Sequence, residues 1–115
     1  MAPVEQGNVK VDKAAGPNAY TVAEVVGRAK ELSGKTVVVR ARVTKFNGGI
    51  MDRNWIHLSD GSGDASAHNN DLLATGKADV KVGAVVEMTG TVRVDQDFGS
   101  GYAYKVLMEN ATLKP

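Results

Sequence analysis

Cysteine is absent from the 115 residues, which excludes disulfides, thiolate metal centres and a cysteine nucleophile. No apolar run approaches the roughly 18 residues of a membrane-spanning helix. Neither charge dominates. The 14 Lys+Arg against 13 Asp+Glu leave a formal charge of +1, without the basic excess of a dedicated phosphate binder. Aromatic residues make up only 5% of the chain, whereas a tight single-strand binder spreads several along a basic groove. No P-loop, no serine beside a positioned base and no paired carboxylates stand out, so a non-enzymatic protein is expected. Behind Met1-Ala2-Pro3-Val4 there is no basic region followed by an apolar one, as an export leader would need. That leaves a cytoplasmic protein or the processed form of an exported one, and the lack of cysteine fits both.

What is present suits one domain, long enough to close a single core without staples. Residues 1–18 are polar and carry Gly7, Gly16 and Pro17. They read as a flexible arm, in which Val9 and Val11 offer a short edge strand. Thr21 followed by Glu24 is a capping-box spacing, and Val22, Val25, Val26, Ala29 and Leu32 recur with helical period. The expected helix covers about 22–33 and stops at Gly34.

From Lys35 the period changes to two. Val37, Val39, Ala41 and Val43 share one strand face, while Val38, Arg40, Arg42 and Thr44 share the other. A loop is expected from Asn47 to about Arg53, then a strand from Asn54 to Ser59 with Ile56 and Leu58 opposite Trp55 and His57. Asp60-Gly61-Ser62-Gly63 reads as a tight hairpin turn returning as a short strand, Asp64 to His68. Residues 69–81 read as a connection. A fourth strand runs from Val85 to about Val94, bent at Gly90. A loop from Asp95 to Gly101 leads to a last strand from Tyr102 to Met108, which Ala111 to Leu113 continues or ends. The expected class is all-β: a five-stranded Greek-key barrel over about 35–114, preceded by an α-helix. Such a partly closed barrel is the OB-fold.

Three segments carry a resemblance. Val37-Val38-Val39-Arg40-Ala41-Arg42-Val43 resembles the first strand of OB domains of the tRNA-anticodon-binding type. Trp55-Ile56-His57-Leu58-Ser59-Asp60-Gly61-Ser62-Gly63 resembles their aromatic-x-x-Leu-x-Asp-Gly-x-Gly hairpin, and Val80-Lys81-Val82-Gly83-Ala84-Val85-Val86 resembles the approach to their fourth strand. Ala19-Tyr20-Thr21-Val22-Ala23-Glu24-Val25, Gly49-Ile50-Met51 and Arg53-Asn54-Trp55-Ile56-His57-Leu58 further resemble small exported bacterial OB proteins, NrfJ-related accessory proteins among them. The resemblance implies a periplasmic or exported protein. It also implies either a nucleic-acid-binding-like module or an accessory protein for a respiratory cytochrome system that engages a protein or metallocofactor partner.

OB domains bind ligands on the face of strands one to three, flanked by the loops after strands one and four. Here that face would carry Arg40, Arg42, Trp55, His57 and His68. Its flanking loops would carry Gly48, Gly49, Met51, Arg53, Phe98 and Tyr102. A tryptophan there stacks on a base for about 1–3 kcal/mol, with arginines meeting phosphate. The other reading has Trp55 covering the barrel under the 47–53 loop while the arginines stay solvated. Asp95 and Asp97 would repel phosphate at the groove's edge, so weak binding of a single-stranded oligonucleotide is expected. His57 and His68, with Asp64 or Asp71, lack the tight ligand spacing of a metal site, and neither a metal nor a cofactor is expected. Met51 offers a soft thioether beside Gly48-Gly49. Asp60-Gly61-Ser62-Gly63 opens no helix and therefore does not cradle phosphate.

Overall fold

The structure, a computed structural model, describes residues 10–99, 101 and 103–113. Tyr102 and Val9, both singled out in the sequence, lie outside the described residues, as does the first half of the expected arm. Helix α1 (Val22–Gly27) begins as its capping box requires. Thr21 Oγ1 accepts from the Glu24 N–H at 3.1 Å and Glu24 Oε1 accepts from the Thr21 N–H at 2.8 Å, so two free backbone donors of the first turn are satisfied reciprocally. The helix is not one span to residue 33. It breaks at Arg28 (φ −111°, ψ 23°) and resumes as α2 (Ala29–Leu32). Gly27, the poorest helix former of the run apart from its caps, ends α1 at that break.

Five strands follow: β1 (Thr36–Ile50), β2 (Arg53–Ser59), β3 (Leu72–Gly76), β4 (Val85–Asp97) and β5 (Ala103–Leu113). They close into a ring in the order β1-β2-β3-β5-β4. Every pairing is antiparallel except β3 with β5, which is parallel at Ala74↔Met108. The alternation of β1 sets the interior. Val37, Val39, Ala41 and Val43 are fully buried with Ile56, Leu58, Leu72, Met88 and Met108, and Val22, Val25 and Leu32 close one end of that core from the helices. The bend at Gly90 is present as a register shift between Thr89 and Thr91. A Cβ there would stand 2.5 Å from Met108 Cγ, so only glycine fits the crossing as it is.

Three expectations require correction. Strand three is not Asp64–His68 but Leu72–Gly76; Ala65–Ala67 form a 3₁₀ turn capped by Asp64, whose Oδ1 accepts from Ser66 N at 2.9 Å. Alanine and serine bring little sheet surface to pack, whereas Leu72-Leu73-Ala74-Thr75 is buried on both faces. The Asp60–Gly63 segment therefore does not close a tight hairpin. It ties the helix to the barrel instead: buried Asp60 accepts through Oδ2 from the Val22 N–H at 3.0 Å and through Oδ1 from the Ser62 N–H at 3.0 Å. The expected loop at 47–53 is also mostly strand. β1 runs to Ile50, paired with Arg53, and only Met51 and Asp52 turn.

Candidate functional site

The β1–β2 hairpin is stitched by side chains to its own backbone and to the segment after β3. Trp55 Nε1 donates to the Ile50 carbonyl at 2.8 Å, Asn54 Oδ1 accepts from Gly49 N at 3.0 Å, and Asn54 Nδ2 donates to Ala78 O at 2.9 Å. Trp55 points to the side of β2 opposite Ile56 and Leu58, as the alternation requires, but it is only 3% exposed. It joins Leu73 and Leu107 in a second cluster, covered by Ile50, Phe98 and Tyr104. The Phe98 ring meets the indole edge-on with centroids 5.5 Å apart, and Tyr104 lies at 5.5 Å from it. The loop after β4 thus folds onto the hairpin after β1 and seals the indole. Trp55 is thus covered by Phe98 and Tyr104.

The basic residues of the expected face are dispersed and engaged. Arg40 pairs across the β1–β4 ladder with Glu87, Nη2 to Oε2 at 2.6 Å. Arg40 lies seven positions along β1 from Asn47, the partner of Trp55, which is at most about 23 Å at strand rise. Arg42 donates through Nη1 to the Gly83 carbonyl at 2.9 Å. His57 Nδ1 lies 2.8 Å from Asp71 Oδ2 and pairs in the ladder with Leu73, not with His68. His68 is exposed, with φ 57°, in the turn after the 3₁₀ segment, so the two histidines do not face one another across a ladder. Among the described residues no three His, Asp or Glu side chains gather as a metal site. Arg53 contacts Glu109 at 3.6 Å and stacks its guanidinium 5.0 Å from the Phe98 ring.

The sequence reading missed a groove of about 740 Å³, lined by residues 51–53, 75–78 and 110–113. It opens between the β1–β2 turn, the end of β3 and the end of β5. The turn itself is unusual. Met51 (φ 54°) and Asp52 (φ 63°) both take the left-handed conformation that a two-residue hairpin demands, and that such turns normally fill with Asn-Gly. Met51 is 38% exposed and Leu113 is 44% exposed, so two large apolar side chains line the groove where it meets solvent. Lys77 Nζ donates to the Asp52 carbonyl and ties the turn to the segment after β3. Thr75, only 1% exposed, lines the groove, and its hydroxyl has no hydrogen-bond partner among the described residues. An unsatisfied buried hydroxyl costs about 1–3 kcal/mol and calls for an explanation. Met51 was the one groove residue the sequence reading singled out besides Arg53; no spacing marks Thr75, because strand ends reveal themselves only when the ring closes.

Comparison with protein-family models, with curated proteins and with solved structures finds no match to this chain.

Proposed function

We propose that the protein is a non-enzymatic binding module of the OB-fold class, and that it takes its ligand in the groove beside the β1–β2 turn. The ring order, with a single parallel contact between β3 and β5, supports the Greek-key path of that class. The observation that carries the location is a groove of ligand size with Thr75 in its wall, a residue whose buried hydroxyl has no partner among the described residues. The strained Met51-Asp52 turn on its rim adds to this, because backbone strain concentrates where ligands are held. The resemblance noted in the sequence extends the reading to an exported accessory module.

A small-molecule fragment screen by saturation-transfer NMR tests the location. Fragments should bind the folded chain and lose binding in Leu113→Asp, with unchanged melting as the control. Fragments that bind both proteins equally, or none at all, contradict it.

A second reading, weak binding of a single-stranded oligonucleotide, rests on Arg53 stacked over Phe98 beside the loop after β4. It predicts affinity for a thymidine oligomer that falls steeply with added salt. Because Trp55 is sealed, that binding would have to proceed without an indole platform, or open one.

A further inference from the structure

The end of the barrel between β3 and β5 is where the ring is least complete. β3 stops at Gly76, which approaches the Ala111 carbonyl so closely that a Cβ there would collide with it. β5 runs on to Leu113, still paired on its other side with β4 through Thr89↔Thr112 and Met88↔Leu113. Past Gly76, therefore, the side of β5 turned toward the groove has no strand beside it among the described residues. A strand edge of that kind offers N–H and C=O groups at strand spacing and templates a further strand. The groove follows this edge. Its ionic side chains are Asp52, Lys77 and Arg53, and because Arg53 is already paired with Glu109, Lys77 is the groove's cation without a carboxylate partner among the described residues; its rims carry the exposed Met51 and Leu113.

We propose that the groove receives an extended polypeptide segment that adds to the open edge of β5 and carries an acidic residue toward Lys77. This rests on the groove reading above and names its occupant. Backbone pairing with residues 112–113 supplies affinity, and alternate side chains of the segment fall toward Met51 and Leu113, which supplies selectivity. The Thr75 hydroxyl gains from the arriving chain the partner it lacks, turning to meet it. A nucleic-acid strand has no run of backbone N–H and C=O groups to match such an edge.

The test is selection of random linear peptides displayed on phage against the full chain, followed by anisotropy measurements on labelled synthetic winners. The expected winners alternate apolar residues around an aspartate or glutamate. They should bind at least tenfold more weakly to Lys77→Glu, and lose binding when a central residue is replaced by proline. Thr75→Val should leave melting unchanged or raised while weakening the peptide several-fold, a combination that loss of fold would not give. Intermolecular NOEs should join the peptide backbone to the amides of Thr112 and Leu113. Winners that bind as helices, winners rich in lysine and indifferent to Lys77→Glu, or a thymidine oligomer that displaces the peptide from those amides would overturn the proposal. If no linear peptide is enriched while fragments still bind the groove, the polypeptide occupant is wrong and the groove stands. If neither binds, both fall.

Discussion

The indole N–H of Trp55 is bonded to the carbonyl of Ile50 at 2.8 Å, so the side chain most suited to stacking on a ligand instead fastens the hairpin that bears it. Across the hairpin, the Phe98 and Tyr104 rings complete its cover. The tryptophan is thus a structural anchor joining the loop after β4 to the turn after β1.

Replacing it separates the two contributions. Trp55→Phe keeps most of the apolar body but strands the Ile50 carbonyl, and should lower stability by about 1–3 kcal/mol. Trp55→Ala also leaves a cavity and should cost about 3–5 kcal/mol. Urea unfolding followed by far-UV circular dichroism measures both. Equal, small losses would mean that the indole is not load-sharing between the loops.

Asp60 joins the helical segment to the barrel. Its carboxylate accepts from the Val22 N–H and from both the N–H and the hydroxyl of Ser62, while its carbonyl accepts from Val11 N at 3.0 Å. Asp60→Ala leaves the buried Val22 N–H and the half-buried N–H and hydroxyl of Ser62 without their acceptor and should cost on the order of 3 kcal/mol. Ser62→Ala, which removes the acceptor for the Ala23 N–H, should cost about 1 kcal/mol. Thermal unfolding and amide exchange at Val22 and Ala23 report the two effects.

Acid sensitivity has an identifiable contributor in Glu24. The Thr21 backbone N–H, and secondarily Lys13 at 3.1 Å, hold its carboxyl below the ordinary glutamate value of 4.5. A carboxyl with a depressed folded pKa contributes stability that is present above its unfolded pKa and is lost as pH falls through the folded value. Glu24→Gln, which retains a capping acceptor, should therefore flatten the fall in melting temperature as pH drops below about 4.5. An identical acid limb in the two proteins would show that the capping carboxylate does not contribute to it.

The turn at Met51-Asp52 should trade stability against binding. Asn in place of Met51 and Gly in place of Asp52 suit two left-handed residues better, and together should raise stability by roughly 1 kcal/mol. The same exchange removes an apolar rim of the groove, so fragment binding should weaken. A variant that is both more stable and equally good at binding would show that the turn is strained for no ligand's sake.

How much of this was legible depends on how local each cause is. The Thr21–Glu24 box and the alternation from Val37 to Val43 are set by neighbours three and two residues apart, and both stand where the sequence put them. The face that Trp55 occupies was equally readable. Its cover was not, because Phe98 and Tyr104 arrive from another hairpin. Strand three was misplaced because Leu72-Leu73-Ala74-Thr75 is buried on both sides and shows no alternation, while Ala65 and Ala67 mimic it. The groove was invisible for a related reason. It exists only because β3 ends at Gly76 while β5 continues, and that difference in length appears once the strands are paired.

The central claim is that a ligand meets the open end of β5 and not the aromatic cluster. The ¹H–¹⁵N spectrum of the full chain, titrated first with a groove-binding fragment and then with a thymidine oligomer, measures it directly. The account predicts that the fragment shifts the amides of Thr75, Gly76, Ala111 and Leu113 while the Trp55 indole N–H stays in place, and that the oligomer leaves all of them unmoved. Shifts concentrated at the Trp55 indole, His57 and Arg40, with the groove amides still, would contradict it.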